Sequence, residues 1–222
     1  KTMMLLNIIR NINKEQDTPV LFFSLEMPAA QIYERLAQQA NLMSGEKVEG
    51  SFKNNDTSEI IELTERAFKN LLVIDMDFLT IEDLKKYVEL AEKKFKKPIG
   101  VICIDYLGRM KSNKRTEYEQ MSELAQQIKH LAKVTNKAVV CLHQTNRTGG
   151  KGDEEISMDM ARGSGVIEEA ADQIIAMWRP DIAKEEAQKS ETEPIVLAIL
   201  KNRKGKCGKV ELVFHKPHLR VY

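Results

Sequence analysis

The sequence predicts an α/β fold: a mostly parallel sheet flanked by helices, with a C-terminal antiparallel hairpin. Three observations predict it. The stretch Ile99 to Tyr106 holds a continuous apolar run, Val101-Ile102-Cys103-Ile104, with no alternation, as in a strand buried on both faces under helices. Further runs of that kind, Pro19 to Leu25 and Ala138 to Leu142, alternate with segments of helical apolar spacing. The chain then closes on two strand patterns, Ile195 to Leu200 and Lys209 to Phe214, around a basic turn from Lys201 to Gly208.

The elements follow in order. Lys1 to Ile9 reads as a helix that starts abruptly. Pro19 to Leu25 is a buried strand. Pro28 suits a first helical turn, and Ile32, Leu36 and Ala40 continue at helical spacing. Asn41 to Asp56 reads as a polar, glycine-containing connection, Thr57 to Asn70 as a helix and Leu71 to Ile74 as a short strand. Thr80 with Asp83 resembles a capping box, with Asp in place of the usual Glu, and Ile81, Leu84, Val88, Ala91 and Phe95 mark a buried helix face. After the Asp105 strand comes a basic loop, Gly108 to Arg115. The helix Glu117 to Thr135 follows, with Met121, Leu124, Ile128 and Leu131 in register. Thr148 to Glu155 is a polar loop, Arg162 to Gly165 is glycine-rich, Gln173 to Trp178 is a strand, and Ile182 to Glu193 is a charged surface helix or loop.

Composition bounds the function. The 222 residues suit one domain, spanning 1–222. Lys and Arg total 34 against 33 Asp and Glu, so bulk charge selects no partner and any nucleic-acid surface must be a local patch. Cys103, Cys141 and Cys207 are scattered, with neither a disulfide framework nor zinc spacing, as in a cytoplasmic protein. No apolar run is long enough to span a membrane. Trp178 and the ten methionines read as core.

Chemistry is expected at the strand ends. Ligands of open α/β sheets bind outside the carboxyl ends of the strands. Glu26, Asp105 and Gln144 each follow a buried strand, and parallel pairing would bring them to one edge. Two carboxylates at one site suit a divalent cation plus a base. Taken singly, Asp105 is either a strand-end cap or a ligand for the magnesium of a bound nucleotide. Lys1-Thr2 at the head of a helix matches the last two residues of a phosphate-binding loop, whose glycines would lie upstream of Lys1.

Taken together, these motifs resemble the RecA-like P-loop motor domain of DnaB-type replicative helicases, phage and plasmid forms included, over nearly the whole chain. Lys1-Thr2 match the end of Walker A, Phe23 to Met27 match FSLEM, and Ile104 to Leu107 match the Walker B IDYL. His143 to Arg147 resemble SQLNR, Arg162 to Asp172 resemble RESGxIEQDAD, and Lys201 to Gly208 resemble KxRxGxxG. The resemblance implies ATP and Mg²⁺ as cofactors. Lys1, Thr2 and Asp105 would bind nucleotide, with Thr2 and Asp105 on the metal. Glu26 would polarise the attacking water and Gln144 sense the γ-phosphate. Lys201 and Arg203 would reach the neighbouring subunit's nucleotide, Arg203 as the finger.

The same resemblance implies a homo-hexameric DNA helicase that translocates on single-stranded DNA at replication forks, with primase and a helicase loader as partners of an upstream region. The implied DNA contacts are Arg109, Lys111, Arg147, Lys151, Arg162, Gly163 and Gly165. Any one of these alone equally suits a solvated basic loop. His143 and Thr145 depart from Ser and Leu of the motif, Gly163 from Glu, and Gly108-Arg109 from a polar-apolar pair. A KaiC-like or RadA-like ATPase without unwinding, and a non-hydrolysing loader or assembly module, are the alternatives.

Overall fold

The computed structural model describes residues 1–144, 154–160, 164–180 and 185–222. It forms two compact units: Lys1–Lys111 with His130–Leu142 and Pro217–Arg220, and Ser112–Lys129 with His143–Lys216 and Val221–Tyr222.

The first unit is built on a parallel sheet of β1 (Val20–Ser24), β2 (Leu71–Asp75), β3 (Val101–Asp105) and β4 (Ala138–Cys141), in the order β2-β1-β3-β4. All pairings are parallel, with Ser24 opposite both Asp75 and Asp105. Every residue of β1 is buried, which is why its apolar run lacks alternation. Helix α1 (Thr2–Glu15) turns Leu5, Leu6 and Ile9 inward, and α2 (Ala29–Asn41) turns in Ile32 and Leu36. These pack with Val20, Phe22, Phe68 and Cys103 into one core. Truncating a side chain as large as Phe22 there would cost about 3–5 kcal/mol.

Two further helices complete the α2 side: α3 (Gly45–Lys53) and α4 (Ser58–Ala67). The α3 helix corrects the expected connection over 41–56. It buries only Val48, against Ala37 and Ile60, and carries Gly45 and Gly50, so no apolar stripe announces it. Helix α5 (Ile81–Phe95) buries the expected Ile81, Leu84, Val88 and Ala91, and Thr80 and Asp83 form the expected capping box. α1 extends six residues beyond Ile9.

Helix α6 (Glu117–Thr135) buries Met121, Leu124, Ile128 and Leu131 as expected. The second unit holds β5 (Gln173–Trp178), β6 (Thr192–Asn202) and β7 (Gly208–His215). They are paired antiparallel, with the short β8 (Arg220–Val221) at the edge of the same sheet. Ala176, Trp178, Val196 and Ala198 form its core, backed by Ile156 and Leu200. β6 begins earlier than expected because Glu193 is buried in the strand, paired with Arg179 at 2.6 Å. Two short helices, α7 (Ser164–Ala170) and α8 (Glu185–Lys189), complete the described α-helices. Among the described residues, no helix is long and apolar enough to cross a membrane.

Candidate active site

Parallel pairing of β1 with β3 sets the carboxyl ends of both strands side by side. Asp105 ends β3 and is only 4% exposed. An acid so buried needs a partner. It finds one at the start of α1, where Thr2 Oγ1 donates to Asp105 Oδ2 at 2.5 Å. Leu25 N donates to the Asp105 carbonyl at 2.8 Å, which registers the residue before Glu26 against β3.

Lys1 completes the cluster. Burial holds its ammonium below the ordinary lysine value, while the charges of Asp105 and Glu26 pull it back up. The structure thus gathers four predicted residues, Lys1, Thr2, Glu26 and Asp105, in one unit. The Thr2 hydroxyl and the Asp105 carboxylate are oxygens of the hard type that magnesium prefers, and magnesium usually takes only one or two such protein ligands beside water and phosphate. Thr2 and Asp105 therefore fit that ion. Among the described residues no trio of His, Cys, Asp or Glu forms an alternative metal centre.

Other predicted residues lie in the second unit. Gln144 is exposed, three residues past the end of β4. Lys201 and Arg203 sit where β6 leaves the sheet, and both turn onto their own chain. Lys201 Nζ donates to the Glu168 carbonyl. Arg203 Nη2 donates to the Glu169 carbonyl at 2.7 Å, and its Nη1 lies 3.4 Å from Asp172 Oδ1. Cations on the last carbonyls of α7 are favourably placed for a helix C-terminus. Asp172 also accepts from Lys129. That bond, then the charges of Lys129, Arg203 and Lys201, hold its carboxyl below the usual range. Asp172 closed a quoted motif but had no role assigned from sequence; only the fold reveals it as the acid beside Arg203.

Of the expected DNA contacts, Arg109 is exposed in a single 3-10 turn, Leu107–Arg109. Gly108 before it has a steric reason, since a Cβ there would meet the Tyr106 ring at 2.8 Å. Lys111 is exposed, with Nζ 3.1 Å from the centroid of the Phe78 ring, itself 46% exposed. The Lys111 amide ties the two loops together by donating to the Leu79 carbonyl at 2.9 Å. Phe78 has no periodic signature that would have singled it out. Gly165 is exposed in α7. Arg147, Lys151, Arg162 and Gly163 lie outside the described residues.

The fold is shared with solved structures. The chain superposes on a solved ATPase domain with a TM-score of 0.83 at 24% identity, covering all of this chain and 79% of that one. It superposes equally, at 0.83 and 23% identity, on a DnaB-like replicative helicase described with its interactions with primase, covering 99% of this chain and 54% of that one. In sequence it is 33% identical to a probable plasmid replicative DNA helicase of Chlamydia psittaci, over 97% of this chain and 47% of the relative. It is 29% identical to the replicative DNA helicase DnaB of Haemophilus influenzae, over 97% and 47%. It is 28% identical to the replicative DNA helicase DnaC of Bacillus subtilis, over 98% and 48%. The chain spans about half the length of these curated relatives. The family model for the DnaB-like helicase C terminal domain matches residues 1–221, and the chain belongs to that family.

Proposed function

We propose that the two units act together as an ATP-driven motor domain over 1–222. It would hydrolyse ATP to move on single-stranded DNA and unwind duplex. The observation that carries the reading is the Thr2–Asp105 hydrogen bond, made beside Lys1 and within reach of the Glu26 charge. A hydroxyl, a carboxylate, a cation and a second carboxylate are the parts that phosphoryl transfer to water requires.

In this reading Lys1 binds phosphate oxygens. Thr2 and Asp105 hold Mg²⁺, which when bound supplies neutralisation of phosphate charge. Glu26, exposed at the strand end, orients the attacking water and accepts its proton. Gln144 senses the γ-phosphate. Lys201 and Arg203 act on the nucleotide of a neighbouring copy in a hexameric ring, leaving the carbonyls of α7 to do so. Arg109, Lys111 and Gly165, with Arg147, Lys151, Arg162 and Gly163, contact the DNA backbone, a mode that is sequence-blind and weakened by salt. Primase and a loader would engage a region outside this chain.

The test is ATP hydrolysis by the full-length protein with and without single-stranded DNA, beside Glu26→Gln and Arg203→Ala. DNA stimulation that both substitutions abolish is the expected result. Wild-type turnover in Glu26→Gln would remove Glu26 from its role. Nucleotide binding without any turnover would favour a loader or assembly module. Turnover without fork unwinding would favour a RecA-like ATPase of another kind.

A further inference from the structure

We infer that Ser24 and Asp75 are positioning residues that jointly fix the turn carrying Glu26; the inference rests on Glu26 being the base of the reaction proposed above. The two residues end neighbouring strands and stand directly opposite one another in the β1–β2 register. Each holds a different end of the same short segment.

Ser24 holds the near end. It is 2% exposed, and its Oγ donates to the Met27 carbonyl at 2.6 Å, closing a ring around Leu25 and Glu26. Leu25 is fixed separately by its bond to the Asp105 carbonyl. Asp75 holds the far end. Helix α2 starts with Pro28 at its cap position, and proline has no side-chain acceptor for the first amides of the helix. Asp75 provides one from the adjacent strand, where its Oδ2 accepts from Ala29 N at 2.9 Å. A carboxylate at that place is also favoured by the helix dipole. Met76 N, donating to the Ser24 carbonyl at 3.2 Å, keeps the two strand ends in step.

Glu26 therefore projects from a turn pinned at Ser24, Leu25, Met27 and Ala29, although its own side chain is exposed. A base on an exposed side chain is useful only if its backbone is rigid, because a misplacement of about 1 Å costs on the order of 100-fold in rate. Neither Ser24 nor Asp75 lies among the residues assigned to phosphate or metal, so their loss should spare nucleotide binding.

The experiment measures kcat and KM for ATP in the full-length protein, with the affinity for a fluorescent ATP analogue read directly. The variants are Ser24→Ala, Asp75→Ala and Asp75→Asn, each alone and combined with Glu26→Gln. Ser24→Ala and Asp75→Ala are expected to lower kcat by roughly 10-fold, with KM and analogue affinity within about twofold. Asp75→Asn keeps an acceptor and should recover most of the loss. In the Glu26→Gln background the same substitutions should reduce the residual single-turnover rate no further, since they act through the missing carboxylate. Wild-type kcat in both alanine variants, a parallel loss of analogue affinity, or losses that multiply with Glu26→Gln would each overturn the inference. If Ser24→Ala melts, the exposed Asp75 pair decides alone. Wild-type turnover in Glu26→Gln would sink the assignment of Glu26 itself; an inactive Glu26→Gln with unaffected clamp variants would sink only the clamp.

Discussion

The parallel and antiparallel sheets surround the cations proposed to act on nucleotide differently. At the end of the parallel sheet, Lys1 is exposed as a residue, yet desolvation lowers the pKa of its ammonium and the charges of Asp105 and Glu26, in the same unit, raise it. At the end of the antiparallel sheet, the half-buried Lys201 and the exposed Arg203 rest on the carbonyls of Glu168 and Glu169, with Asp172 beside Arg203. The first cation lies among the acids of its own unit. The second joins cations to neutral carbonyls and, at Arg203, to one exposed ion pair worth less than about 1 kcal/mol. A finger acting on another copy, as proposed for Arg203, would have to be held and yet releasable, and contacts of this kind allow both.

The sharpest way to break this comparison is to remove one member from each side. Arg203→Ala should reduce DNA-stimulated hydrolysis by roughly 10³-fold or more, and Glu26→Gln by roughly 10²- to 10⁴-fold. Mixing the two inactive proteins during assembly should restore turnover above either parent, because some interfaces then pair an intact Glu26 with an intact Arg203. No recovery in that steady-state assay would place both residues on the same copy's nucleotide.

A stability measurement probes the parallel unit. Lys137 Nζ donates to Glu92 Oε1 at 2.6 Å and is nearly buried. That bond holds the Glu92 carboxyl below its ordinary value of 4.5. Because the folded value is depressed, the stabilisation is complete above the ordinary value and is lost as pH falls through the folded one. Lys137→Met should cost about 2 kcal/mol at neutral pH in urea unfolding, and should flatten the acid limb of stability against pH. The antiparallel unit should respond least. Asp172→Asn breaks only exposed pairs and should cost less than about 1 kcal/mol. It would loosen Arg203, so in thermal melts the nucleotide-bound protein, if it assembles as proposed, should tolerate it better than the free protein does.

Legibility from sequence followed burial. β1 and β3 are sandwiched on both faces, and their runs say so in four or five letters. β6 hid its first residues because Glu193-Pro194 argues against a strand until the Arg179 partner is seen. α3 hid behind two glycines and one buried valine. In the site, strand-end logic placed Glu26 and Asp105 together, whereas Lys1 and Thr2 matched only the last two letters of a phosphate-binding loop, which the family resemblance then tied to Asp105. Asp75 and Phe78 escaped notice because each acts across the sheet edge, on residues far away in sequence, and no local pattern marks such a contact.

The Leu219 carbonyl receives amide bonds from Asn7 and Gln39, both buried, and the Arg220 guanidinium returns two bonds to the Gln39 carbonyl. For protein engineering, this sets a trimming limit. A deletion that removes Leu219 takes an acceptor from two interior amides at about 1–3 kcal/mol each. One of them, Asn7, sits on the helix that follows Lys1, so removing Leu219 would disturb the mounting of the residues proposed to bind phosphate, far away in sequence.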